Sequence, residues 1–149
     1  MRILNLTQHW ATAEQIAAGV VESANKVLVQ EALTFNDHPC AGDLLWSADR
    51  LAELAKASGC EAAMIGGAPF FMGPLERALA AAGVKVLYAF SVRESRDEKL
   101  PDGSIKKTQI FRHRGFVEAV IPPSQIRPDS IGTLFQRTVE ALQTRVPVL

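Results

Sequence analysis

Apolar residues along this chain fall into short runs separated by polar clusters, and the spacing within each block predicts its conformation. Ile3-Leu4-Asn5-Leu6 is a mainly apolar run closed by Thr7-Gln8-His9, the pattern of a buried first strand followed by a loop. Thr12 and Gln15 have the spacing of a capping box, so a helix is expected to open there, with Ile16 and Val20 as its apolar stripe. Residues 23–35 mix Val27-Leu28-Val29 with Gln30-Glu31-Ala32-Leu33 and read as helix. Asn36 to Gly42, with Pro39, reads as a loop. Ser47 is the expected cap of a helix that carries Leu51, Leu54 and Ala55 on one face and ends at Gly59. Ala62-Ala63-Met64-Ile65 is a second buried strand, stopped by Gly66-Gly67. Pro74 suits the first turn of the next helix, where its missing N–H costs nothing. Leu75, Ala78, Leu79 and Ala82 would line that helix's inner face, with Gly83 at its end. Val84 to Phe90 is a third strand, running out into Ser91-Val92-Arg93-Glu94-Ser95.

The order strand, helices, strand, helix, strand predicts parallel strands joined by right-handed crossovers. Pro101-Asp102-Gly103 then makes a tight turn between two polar arms, which signals a β-hairpin. Gly115 marks a bulge or bend in the second arm. Asp129 or Ser130 is expected to cap a final helix with Ile131, Leu134, Phe135, Thr138 and Leu142 on one face. The expected fold is thus one Rossmann-like α/β domain over residues 1–149. Its sheet is mainly parallel and flanked by helices, with a C-terminal hairpin extension and a last helix.

Composition narrows the function. The formal charge is zero, so the molecule as a whole is not an electrostatic binder of duplex DNA, and any basic site is local. Seven basic residues cluster between Arg93 and Arg114, but Glu94, Asp97 and Glu98 dilute them. Cys40 and Cys60 lack metal-ligand spacing, and reduced thiols are expected for both. No apolar run is long enough to span a membrane and the first residues carry no apolar signal core, so a cytoplasmic protein is expected. His38 has no partner at metal-binding spacing, and no H-E-x-x-H or G-x-S-x-G motif is present. Neither a metal nor a cofactor is expected.

In open parallel sheets, ligands bind beyond the carboxyl ends of the strands. Three segments are expected there: Thr7 to Trp10, Gly66 to Pro69, and Ser91 to Ser95. Gly66 and Gly67 lack Cβ atoms, so their amides can approach an anion closely, and a following helix adds a favourable dipole. His9 is placed for proton transfer or for donation to a phosphate, with Thr7 and Gln8 as neutral donors beside it. Arg93 can fork onto phosphate oxygens, flanked by the hydroxyls of Ser91 and Ser95. Ala68 would complete the glycine turn. A simple tight turn and a loop-bound histidine are the plainer alternatives at Gly66-Gly67 and His9.

Three stretches carry a resemblance. Leu4-Asn5-Leu6-Thr7-Gln8-His9 with Thr12-Ala13-Glu14-Gln15 resembles the opening strand and helix start of small CRISPR-associated ring nucleases. Leu87 to Glu94, and the hairpin Asp102 to His113, are also similar to theirs and follow in the same order. The resemblance implies a small homodimeric α/β protein that binds a cyclic oligoadenylate messenger and cuts it without metal. A ribose 2′-hydroxyl would attack the adjacent phosphorus and leave a 2′,3′-cyclic phosphate. On that reading His9, Ser91 and Arg93 would be catalytic. Thr7, Gln8, Gly66, Gly67, Ala68 and Ser95 would hold the ligand. Two alternatives stay open: a module that senses or sequesters a nucleotide, and a small hydrolase or transferase acting on nucleosides or nucleotides. The second would need a carboxylate nucleophile, for which Glu94 is the candidate.

Overall fold

A computed structural model describes residues 1–125, so the helix expected after Asp129 lies outside the described residues. Four strands run parallel: β1 (Ile3–Leu6), β2 (Val20–Glu22), β3 (Ala62–Ile65) and β4 (Lys85–Lys99). The fifth, β5 (Ile105–Glu118), returns antiparallel to β4, and the sheet order is β2-β1-β3-β4-β5. Helices α1 (Ala13–Ala17), α2 (Lys26–Ala32), α3 (Ala41–Ser58) and α4 (Pro69–Ala81) fill the connections. This is the mainly parallel, Rossmann-like α/β architecture that the alternation predicts, with its hairpin extension.

Among the described residues the two faces of the sheet are covered unequally. Leu4, Leu6, Ala63, Ile65 and Val86 meet α2, α3 and α4 in the larger core, around Val29, Leu51, Phe71, Leu75 and Leu79. The opposite face gathers only Ile3, Val20, Ala62, Met64 and Leu87, with Ala11 and Phe116 against them. β1 and β3 are buried along their whole length, which explains runs of apolar residues rather than alternation.

Several boundaries differ from the pattern-based expectation. The capping box at Thr12 and Gln15 forms, but α1 lasts only five residues. Val20 belongs to β2, paired with Ile3, and Ile16 is exposed, so the stripe from Ile16 to Val20 does not exist. Gly19 makes the change possible: its φ is 106°, and a Cβ there would meet the Met1 carbonyl oxygen at 2.5 Å. The N-cap of α3 is Cys40, seven residues before Ser47, and its N–H donates to Asp43 at 2.8 Å. Gly59 ends α3 in the left-handed region, as expected. In α4 the proline at the first turn is Pro69, and Pro74 lies inside the helix. A proline does occupy the first turn, five residues earlier than the apolar pattern suggests.

The third strand does not stop at Phe90. It continues as a strand to Lys99, so Ser91, Arg93 and Ser95 sit on a strand and not in a loop. The register shifts between the pairs Phe90–Gly115 and Ser91–His113, leaving Arg114 as the extra residue opposite them. Gly115 has φ 139°, which accounts for glycine at this bulge. A latch fixes the hairpin to α1: Glu14 accepts the His113 backbone N–H and an Arg112 guanidinium N–H, each at 2.8 Å.

Phe71 is fully buried and meets the Phe35 ring edge-on at 5.2 Å. Phe71→Ala is expected to cost about 3–5 kcal/mol, the usual range for an emptied aromatic site. A urea titration reads this as a lower midpoint at an unchanged slope.

Candidate functional site at the switch point

The strand order creates the site. From β1 the chain turns outward to β2, whereas from β3 it turns the opposite way to β4. The segments leaving β1 and β3 therefore diverge, and the crevice between them is where ligands of such sheets sit. A cavity of about 440 Å³ occupies this position. Thr7, Gln8, His9 and Trp10 line it from one side and Gly66 and Gly67 from the other, with Thr12 and Gln15 at the start of α1, Met64 and Ile65 of β3, and Tyr88 and Ala89 of β4 also in the wall. Its volume lies within the range of small-molecule sites.

A buried polar network shapes the first wall. Asn5 is fully buried at the centre of β1. Its Oδ1 accepts the Thr7 N–H at 3.0 Å and the Thr7 hydroxyl at 2.7 Å. Its amide nitrogen donates to the His9 carbonyl at 2.9 Å and to both Glu22 oxygens, at 2.9 and 3.1 Å. The buried Lys26 ammonium donates to the carbonyls of Thr7 and His9, at 3.0 and 2.8 Å, and to Glu22 at 3.1 Å. Glu22 also accepts the Ala11 N–H at 2.6 Å. The turn from Thr7 to Ala11 is thus pinned by three side chains from β1, the end of β2 and the start of α2. Trp10 lies over Lys26, 5.3 Å from the ammonium to the ring centroid.

Burial by itself would raise the Glu22 pKa. The Ala11 N–H, the Asn5 amide and the Lys26 ammonium together outweigh it and hold this carboxyl below its ordinary value. Burial and then the Glu76 carboxylate push the Tyr88 phenol up, and its hydroxyl donates to Glu76 at 2.5 Å. The His113 N–H and the Arg112 guanidinium hold the Glu14 carboxyl low.

The glycine turn forms the second wall. Gly67 has φ 155°, and a Cβ there would stand 3.4 Å from Met72 and 3.7 Å from Leu33. α4 begins directly behind it, with Ala68 as its half-buried N-cap.

The structure gathers Thr7, Gln8, His9, Gly66 and Gly67 around one cavity. Ala68 is adjacent to it without lining it. Ser91, Arg93 and Ser95 lie further out on the exposed hairpin and are outside the lining. Arg93 sits over the Phe111 ring at 5.3 Å. Glu94 pairs with Arg112 at 3.5 Å and Arg114 at 2.9 Å, not with Arg93 or Arg96. His113 packs on Phe116 at 4.7 Å, and among the described residues neither of its ring nitrogens has a hydrogen-bond partner. Among the described residues no cluster suits a metal ion, and both cysteines are free.

Sequence reasoning missed Asn5, Glu22 and Lys26. One signal was available: an asparagine inside an otherwise apolar run must find buried partners. The partners themselves meet only through the fold.

Fold and site together define an α/β protein with a ligand-sized cavity at a parallel-sheet switch point. The chain belongs to the family described as Uncharacterized protein MJ1673 family, whose profile matches residues 1–117. That match takes in every strand up to Val117 of β5. No curated protein and no solved structure matches the chain. Among the described residues no helix is long and apolar enough to cross a membrane.

Lys26→Met should destabilise the protein by about 1–3 kcal/mol, because the Thr7 carbonyl loses its donor and the Glu22 carboxylate its counter-ion, while the His9 carbonyl keeps the Asn5 amide and the Thr7 hydroxyl; chemical denaturation measures this. The Glu22 pKa is lowered on folding, so its stabilisation is complete above the ordinary value of 4.5 and is lost as pH falls through the lower folded value. Glu22→Gln should therefore flatten the acid limb of a stability profile recorded from neutral pH downward. An acid limb as steep as that of the unaltered protein would dismiss this role for Glu22.

Proposed function

We propose that this protein is a ring nuclease that binds a cyclic oligoadenylate at the switch-point cavity and cleaves it without a metal. The observation that carries the reading is the meeting of His9, its hydroxyl and amide neighbours Thr7 and Gln8, and the Gly66-Gly67 turn around one cavity. The sequence resemblance in the first strand, the fourth strand and the hairpin supports the choice of ligand. It also implies a homodimer, and we place that homodimer in the cytoplasm.

In this mechanism the cavity seats one adenylate unit. Backbone amides at the glycine turn face its phosphate, and no side chain intervenes there. The ribose 2′-oxygen attacks the adjacent phosphorus in line. A 2′-O–P bond forms and the P–O5′ bond breaks, giving a 2′,3′-cyclic phosphate and a 5′-hydroxyl. His9, exposed at the rim, exchanges protons with these oxygens. The fixed turn from Thr7 to Ala11 supplies positioning, which is the larger share of such catalysis.

One observation favours a second reading. Among the described residues no lysine or arginine lines the cavity, so transition-state charge would rest on amides and one histidine. A sensor or sequestering module needs no such stabilisation.

Incubation with labelled cyclic tri-, tetra- and hexa-adenylate in EDTA separates the readings. Ring opening with a 2′,3′-cyclic phosphate product is expected. His9→Ala should slow it by about 10²- to 10⁴-fold, the span of general acid–base catalysis. Rings that bind but stay intact would favour the sensor, and rings that neither bind nor open would end both readings.

A further inference from the structure

We infer that the outer face of the hairpin is a second nucleotide subsite, where the Arg93–Phe111 pair stacks a base and its flanking hydroxyls hold the adjoining phosphate. This rests on the reading of the cavity as a nucleotide site. It deepens that reading by making the ligand an oligonucleotide and not a mononucleotide.

Register places the groups together. Arg93 pairs with Phe111 across the ribbon, Ser91 with His113 and Ser95 with Gln109. Successive side chains of a strand alternate between faces, so Ser91, Arg93 and Ser95 share the face of Ala89. Ala89 lines the cavity. Arg93 and Phe111 thus lie on the strand pair that leaves the cavity wall at Ala89, about 13 Å further along β4 at 3.3 Å per residue. A ligand touching both this pair and the cavity is longer than one that fills the cavity alone.

The chemistry of this face suits bases and phosphates. Phe111 is 64% exposed, a large aromatic ring left in solvent on a charged arm. Arg93 covers part of it, and guanidinium planes and aromatic rings are the two surfaces on which unpaired bases stack. Ser91, Ser95 and Gln109, all exposed, add donors on the same face. Charge points the same way. The arm from Phe90 to Gly115 holds seven basic and four acidic residues, whereas the rest of the chain holds nine basic and twelve acidic. The arm is thus net positive on a net negative body, which favours an anionic chain along it. The Glu14 latch ties the arm to α1, whose Gln15 lines the cavity, so the two subsites are held in one frame.

The test titrates the full chain with adenosine monophosphate and with 2′-O-methyl tetra-adenylate, which cannot undergo 2′-attack. The unaltered protein should bind the tetramer at least tenfold more tightly than the monomer. Phe111→Ala should weaken the tetramer about 5- to 100-fold, the effect of losing one stacked base, and leave the monomer unchanged. Arg93→Ala should weaken the tetramer and make its binding less sensitive to salt. Unchanged thermal midpoints check that both exposed-site variants fold. Equal tetramer affinity in Phe111→Ala and the unaltered protein would overturn the subsite. A monomer that binds while the tetramer binds no better would remove the subsite and leave the cavity reading standing. Failure of both ligands on the unaltered protein would overturn the two together.

Discussion

The hydrogen-bonded cluster of Asn5, Glu22 and Lys26 is the constraint on which the site depends. A carboxylate and an ammonium beside a buried amide are costly to bring out of water, and they are tolerated because nearly every donor and acceptor is matched. What the cluster holds is main chain: the N–H of Thr7 and Ala11 and the carbonyls of Thr7 and His9. A loop of this length with a histidine and a tryptophan at its tip would otherwise sample many conformations. Here its backbone groups are committed inward, and the Trp10 and His9 side chains are left exposed at the rim.

The second requirement is topological. β1 and β3 are neighbours whose following segments part company, and this opens a crevice that no local sequence feature encodes. Gly66 and Gly67 line one side of that crevice. Thr7 Cγ2 stands 3.6 Å from where a Gly66 Cβ would lie, so the two walls are already in near contact. The hairpin then carries β4 beyond the sheet, and the Gly115 bulge sets where it leaves. One strand thus serves as cavity wall at Ala89 and as exposed arm at Arg93.

Much of this could be read from residues alone. Apolar runs, broken in β1 only by Asn5, identified β1 and β3, the Thr12–Gln15 spacing identified the start of α1, and Asp102-Gly103 identified the hairpin turn. These are local signals. β2 escaped notice because a three-residue strand at a sheet edge has too little periodicity to register, and Gly19 looked like part of a helix. The start of α3 was misplaced because Cys40 is a rare N-cap, whereas Ser47 is a common residue for one. Within the site, His9 and Gly67 were recognisable from their positions after strands. Glu22 and Lys26 were not, since their role depends on β2 lying beside β1. Arg93 was expected at the cavity because β4 was cut short at Phe90; the longer strand moves it onto the arm.

The central claim is that the pinned turn after β1 and the glycine turn after β3 form one binding site. Amide NMR spectra of the full chain, recorded while cyclic tetra-adenylate is added, locate that site directly. The account predicts shifts concentrated at Thr7 to Trp10 and at Gly66 and Gly67. Shifts confined to a separate cavity of about 310 Å³, lined by Arg2, Ser23, Ser58 and Cys60 among others, would contradict it.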